Sequence, residues 1–344
     1  MVSAAQRNHD SPAGRHFALT AGIGRRTALI LWILVGVVRA YPAVAQAGAV
    51  DEVPIPEIVV NGERAGPRLW QVRSETAQVW ILGTVSPLPV GMTWRAGEVE
   101  HALDDAQALL VAKPLEISLP RVLWMLFAQR DRLMIRGGRS LKDVLPPDLY
   151  VRFSTQRSIY GTASDRWDRY RPIIAAALLE DAAMKKNGLS ARLDVSLAVR
   201  RLARQRRVPI EDVAVPGAPE LLDALRTVAP DLESQCFSLV LTTIETGMPL
   251  LAARAAAWAN GDVAQFASLP PSSEAACGAV LRADPRTADL LAGTHDHWLA
   301  ALEAHLHGRG VSVAVVDMDA LLGRHGLLLD LQDRGYEVDG PHQE

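Results

Sequence analysis

Cysteine is nearly absent from this chain: its 344 residues contain Cys236 and Cys277 and no other thiol. Two thiols without paired histidines beside them make a poor zinc site. Two readings of the pair stay open, a single bridge or two small buried hydrophobes. Excess charge is lacking as well. With 36 Lys and Arg against 39 Asp and Glu, the net charge is -3, so no positive field gathers phosphate backbones and no nucleic-acid partner is expected. There is no internal repeat or low-complexity tract, and no Gly-x-Ser-x-Gly elbow to mark a serine hydrolase. A spanning helix needs about 20 apolar residues, and the apolar run "TALILWILVGVV" meets Arg39 and Pro42 before reaching that length.

What is present is the composition of a globular protein, 49% hydrophobic and 22% charged, enough to bury a sizeable core. Arg25 and Arg26 precede the apolar run, and Ala43-Val44-Ala45 follows it with the small side chains that a signal peptidase accepts. Residues 1–45 therefore read as a signal peptide for periplasmic or secreted export, with an uncleaved membrane anchor as the alternative. Residues 46–66, rich in Pro, Gly and acids, read as a flexible linker. One domain is expected over residues 67–340.

Within that domain "LWQVRSETAQVWILGT" predicts a hairpin turning at Arg73 to Thr76. "WRAGEVEHALDDA" then "AQALLVAKPL" predicts a helix followed by a strand, the opening of an α/β unit. The middle is helical by its three-and-four spacing, with a strand at "VPIEDVAV". The chain closes with a strand over "VSVAVVDMD", a helix over "ALLGRHGLLLDLQDRG" and a strand at "YEVDG". The expected fold is α/β, a mixed central β-sheet wrapped by many helices, with strands from both chain ends in one sheet. "VLWMLFAQ" (122–129) is apolar nearly all round, as a buried helix or one facing a protein or membrane surface would be. "RRLARQRR" (200–207) reads as a solvated helix face.

Four stretches in order, "LWQVRSETAQVWILGTVSPLPVG", "ARLDVSLAVRRLARQRRVPIED", "AWANGDVAQFASL" and "VSVAVVDMDALLGRHGLLLDLQDRGYEV", resemble the TraB/GumN family, relatives of the Tiki-type metal-dependent proteases. The resemblance implies a divalent metal held by two histidines and acidic groups at strand ends, a site that polarises a carbonyl and activates water. At those positions this chain reads differently. Ser86 stands for the first histidine and Ala320 for the second, with Asp317 in place of the motif glycine. Ala112 stands for an acidic group, and Thr294-His295 for an Arg-Asn pair. Glu211 and Asp194 remain. A catalytic zinc site needs three protein ligands, so the resemblance implies a degenerate member, impaired or inactive as an enzyme, that acts on an envelope protein or peptide by binding it, with no cofactor.

Two rebuilt centres compete with that reading. His295 with His297 and His305 with His307 fall on an expected helix, where residues two apart point about 200° apart and cannot share an ion. Asp317 and Asp319 on a strand would share a face and, with Glu211, could hold Mn, Co, Mg or Ca in an all-oxygen site of an active hydrolase. The simpler reading is a helix cap, with Asp319 at the N-cap. Ser86 as a nucleophile needs a base within reach, and His101, the nearest histidine in sequence, has nothing to align it.

Overall fold

The computed structural model describes residues 66–113, 133–161, 167–191, 195–216, 218–225, 227–323 and 326–341. The expected signal peptide, nearly all of the linker, the "VLWMLFAQ" segment and Asp194 lie outside them.

The chain runs β1 (Leu69–Arg73), β2 (Ala77–Thr84), β3 (Leu88–Pro89), α1 (Gly97–Asp104) and β4 (Ala106–Ala112). Then follow α2 (Leu141–Val144), α3 (Pro147–Tyr160), α4 (Pro172–Lys186), β5 (Leu189–Ser190), α5 (Val195–Arg206) and β6 (Ile210–Val213). The helices α6 (Ala218–Leu225), α7 (Pro230–Thr242), α8 (Met248–Ala259), α9 (Val263–Ser268), α10 (Ser273–Leu281) and α11 (Pro285–Leu306) precede β7 (Gly310–Asp317). The chain ends in α12 (Met318–Leu321), α13 (Leu327–Asp333) and β8 (Glu337–Asp339).

Six strands form a mixed sheet in the order β6-β4-β7-β2-β1-β8. The hairpin β1-β2 is antiparallel, with Val72 opposite Val79, and β8 adds antiparallel to β1, so the two ends of the domain meet as expected. β2, β7, β4 and β6 run parallel. Strands covered on both faces should be nearly continuously apolar, and the buried runs Val79 to Leu82 and Val313 to Val316 fit, Trp80 alone being only half-buried.

Ion pairs assign the covering helices to faces. His305 on α11 meets Ser312 and Glu211, whose side chains share one face of the sheet. Arg200 on α5 binds Asp212 on the opposite face, and Arg206 ties α5 to Glu100 and Asp104 of α1. The solvated-face reading of "RRLARQRR" holds for Arg201, Arg204, Gln205 and Arg207, which are exposed, but not for Arg200, which is buried, donates to the carbonyl of Ala112 at 2.8 Å and to Asp212 at 2.6 Å, and joins helix to sheet.

A second apolar core lies within the helical middle, where Phe153, Leu179, Phe237 and Leu241 are fully buried. Cys236 of α7 and Cys277 of α10 form a disulfide that staples this layer. Of the two readings of the cysteines, the bridge is the one the structure adopts.

Candidate functional site at the carboxyl rim of the sheet

Open α/β sheets present ligand sites beyond the carboxyl ends of their parallel strands. Here that rim is made by the ends of β2, β4 and β7. Thr84 pairs with Asp317, and one rung below, Gly83 pairs with Val316. Val111 pairs with Val315, which brings Ala112 level with Val316. Ser86 and Ala320 follow two and three residues beyond the last rung, both exposed. The sequence-predicted positions Ser86, Ala112 and Ala320 thus share the rim.

Glu211 does not join them. It pairs with Leu110, which is level with Ala314. Two strand spacings and three residues along the strand put it roughly 14 Å from Asp317. Its carboxylate lies 3.1 Å from Nε2 of His305, whose Nδ1 lies 2.9 Å from the Ser312 hydroxyl. Thr294 sits eleven residues before His305 on α11. At about 1.5 Å per helical residue against about 3.3 Å per strand residue, it reaches the height of Asp317, but its hydroxyl bonds back to the Leu290 carbonyl within the helix.

The two aspartates exchange the roles expected of them. The strand stops at Asp317 rather than Asp319, because Asp317 is itself the N-cap of α12 and accepts from the amides of Asp319 at 2.8 Å and Ala320 at 3.3 Å. Asp319 is therefore in the first turn of α12, and the two do not share a strand face. The helix expected across "ALLGRHGLLLDLQDRG" is broken between Leu321 and Leu327. Gly323 adopts φ +112, and a Cβ at Gly326 would collide with the Leu321 carbonyl.

The Asp319 carboxylate is held by Arg254 at 2.6 Å. Arg254 comes from α8 and is 4% exposed; it also donates to the carbonyls of Leu269 and Pro270 and stacks 3.9 Å over the ring of Phe266. Sequence reading missed this residue, although it is the lone charge in the apolar helix "MPLLAARAAAWA". The Ser272 hydroxyl, which caps α10, approaches the other Asp319 oxygen at 3.5 Å.

Asp317 is exposed as a residue, but protein crowds its carboxyl. That burial, reinforced by the neighbouring charges of Asp319 and Glu274 and eased by the two capping amides, pushes it up to about 7. Glu180 on α4 is buried against the hydroxyl of Ser273, the residue after Ser272, and desolvation raises its carboxyl to about 7 despite that bond. Glu274 adds its charge to both raised carboxyls, while the Arg254 guanidinium pairs with Asp319. A carboxyl that is half protonated at neutral pH can both donate to and accept from a ligand.

The histidines have separate partners. His295 is 2.6 Å from Asp330, and His307 is 3.0 Å from the Tyr336 hydroxyl. His101 is almost fully exposed beside Asp104, and among the described residues no histidine or carboxylate hydrogen-bonds Ser86. Among the described residues no group of three or more His, Cys, Asp and Glu is placed to hold a metal ion. Among the described residues, the rim side chains, a serine hydroxyl, a capping carboxyl, an arginine-bound carboxylate and two alanine methyls that cannot ligate, do not fit a three-ligand catalytic metal.

The glycine of the first motif has a packing role. A Cβ at Gly83 would collide with the Met318 side chain and crowd Trp70, and the Gly83 carbonyl accepts from the Trp258 indole at 2.6 Å.

The profile of the TraB/PrgY/gumN family matches residues 68–340. No curated protein and no solved structure matches the chain.

Proposed function

The chain belongs to the TraB/PrgY/gumN family, and from that premise we propose that it is an exported member that has given up metal-dependent hydrolysis and acts by binding a peptide or protein of the cell envelope at the rim of its sheet. The observation carrying this reading is the fate of the carboxylates left at the rim. Asp319 is neutralised by Arg254 and Asp317 caps α12, while Glu211, away from the rim, bonds His305. Positions 86, 112 and 320 contribute a hydroxyl and two methyl groups. Among the described residues such a rim offers too few nitrogen and oxygen donors to grip a cation and sharpen a water molecule, and we assign no cofactor.

Export is supported by the arginine pair, apolar run and Ala-Val-Ala of the N-terminus. The Cys236–Cys277 bridge agrees with an oxidising compartment. The apolar 122–129 segment is the candidate for an additional membrane-surface contact.

The test is peptide hydrolysis by the mature chain with Mn²⁺ or Co²⁺ added, alongside capture of envelope proteins by the wild type and by Asp317→Asn. The reading expects no chelator-sensitive hydrolysis and a captured partner that Asp317→Asn weakens. Turnover abolished by chelator and by Asp317→Ala would instead establish an active hydrolase on an all-oxygen site.

A further inference from the structure

Away from the rim, a cavity of about 670 Å³ opens in the helical middle between the loop before α2 and the first turns of α4 and α7. Its size lies within the range of small-molecule sites, and it shares no residue with the rim. Arg136, Arg139 and Arg171 line it against two carboxylates, Asp143 and Glu233.

Both carboxylates are already committed. Glu233 is bound by Arg171, which also donates to the Leu225 carbonyl at 2.7 Å. Asp143 accepts from the amide and hydroxyl of Ser140 at 2.7 and 2.9 Å, bonds that hold it below the usual carboxylate range. Arg139 gives one nitrogen to the Asp143 carbonyl at 2.9 Å. Among the described residues no carboxylate pairs with Arg136. Its charge also lowers the already desolvated Arg171 guanidinium, so positive charge is crowded here.

Two further features favour an anion. Pro172 and Pro230, the first residues of helices of 15 and 13 residues, line the cavity, so the positive ends of both helix dipoles open on it. The residues leading into the arginine loop are also pinned in place. Ile135 donates to the Arg169 carbonyl at 3.0 Å, and Arg171 donates to Leu133 at 2.9 Å. Beside these charges the wall carries the apolar side chains of Met134, Ile135, Val144 and Val228, together with Thr227.

We propose that this cavity binds a small anionic amphiphile, its carboxylate or phosphate group against Arg136 and Arg139 and its apolar part along Ile135, Val144 and Val228. Guanidinium forks match either acid group bidentately. The site is independent of the rim and would persist if the rim proved catalytic.

The experiment is calorimetric titration of the mature chain with octanoate, octyl phosphate, octanol and inorganic phosphate. At least one acid amphiphile binds, more tightly than octanol by about tenfold or more, which is the strength of one charge-assisted hydrogen bond. Its binding weakens with added salt. Octanoate alone would assign a carboxylate ligand, octyl phosphate alone a phosphate, and tighter octyl phosphate than inorganic phosphate the apolar wall. The double variant Arg136→Ser with Arg139→Ser loses about tenfold or more in affinity for the acid while keeping its Tm, since both side chains are exposed. Should the double variant lose its fold, Arg136→Gln alone carries the same reading. The proposal is overturned if neither amphiphile binds below about 10 mM, if octanol binds as well as the acids, or if the folded variant binds the acid unchanged.

Discussion

Arg254 is buried, and the carboxylate of Asp319 is its charged partner at 2.6 Å. Removing one side of a buried pair strands the other charge, so Asp319→Ala should cost about 3 kcal/mol, read as a lowered urea midpoint. A loss under about 0.5 kcal/mol, typical of an exposed pair, would show that the ion pair does not form. Glu180 makes a second residue-level prediction. Its folded-state carboxyl is raised by burial from 4.5 to about 7. Between those values the folded chain keeps a proton that the unfolded chain has released, so the Glu180 contribution is full at low pH and lost as pH rises through about 7. The shift corresponds to something on the order of 3 kcal/mol between pH 4.5 and 8. Glu180→Gln should remove that part of the pH dependence and be more stable than wild type at pH 8. Parallel stability profiles for the two proteins would contradict it. Neither role was legible in the sequence. That Asp317 and Asp319 belong to the start of a helix is read from their neighbours, but which one caps depends on where β7 ends, and which one is neutralised depends on an arginine more than sixty residues away.

At the scale of elements, the bridge between α7 and α10 closes a loop with a sequence separation of 41. Confining such a loop in the unfolded chain contributes about 4 kcal/mol. The pair Cys236→Ala with Cys277→Ala should therefore unfold at lower urea, and reductant should no longer affect it. A variant as stable as the oxidised wild type would contradict the stapling role. The elements were the most legible part of the fold. The hairpin at 69–84, the strand at 106–112 and the long helix before β7 follow from period and punctuation alone. The break between α12 and α13 was hidden, because Gly323 and Gly326 sit inside an apolar pattern that suits one helix. The burial of Arg200 was hidden for a similar reason: "RRLARQRR" looks solvated until the sheet places Asp212 and the Ala112 carbonyl beneath it.

At the scale of the molecule, the parallel strands β2, β4 and β7 bring positions 86, 112 and 320 to one rim. Glu211 was misjudged as a rim residue because its distance from Asp317 follows from strand register, which sequence spacing does not reveal. The chain belongs to the family by its profile, and among the described residues no group of three or more His, Cys, Asp and Glu is placed to hold a metal ion. The most direct test is the metal content of the mature chain after equilibration with Mn²⁺, Co²⁺ or Zn²⁺ and removal of free ion. The account predicts far less than one ion per chain and no change in Tm on adding any of the three. One tightly held ion per chain, lost in Asp317→Ala, would contradict it.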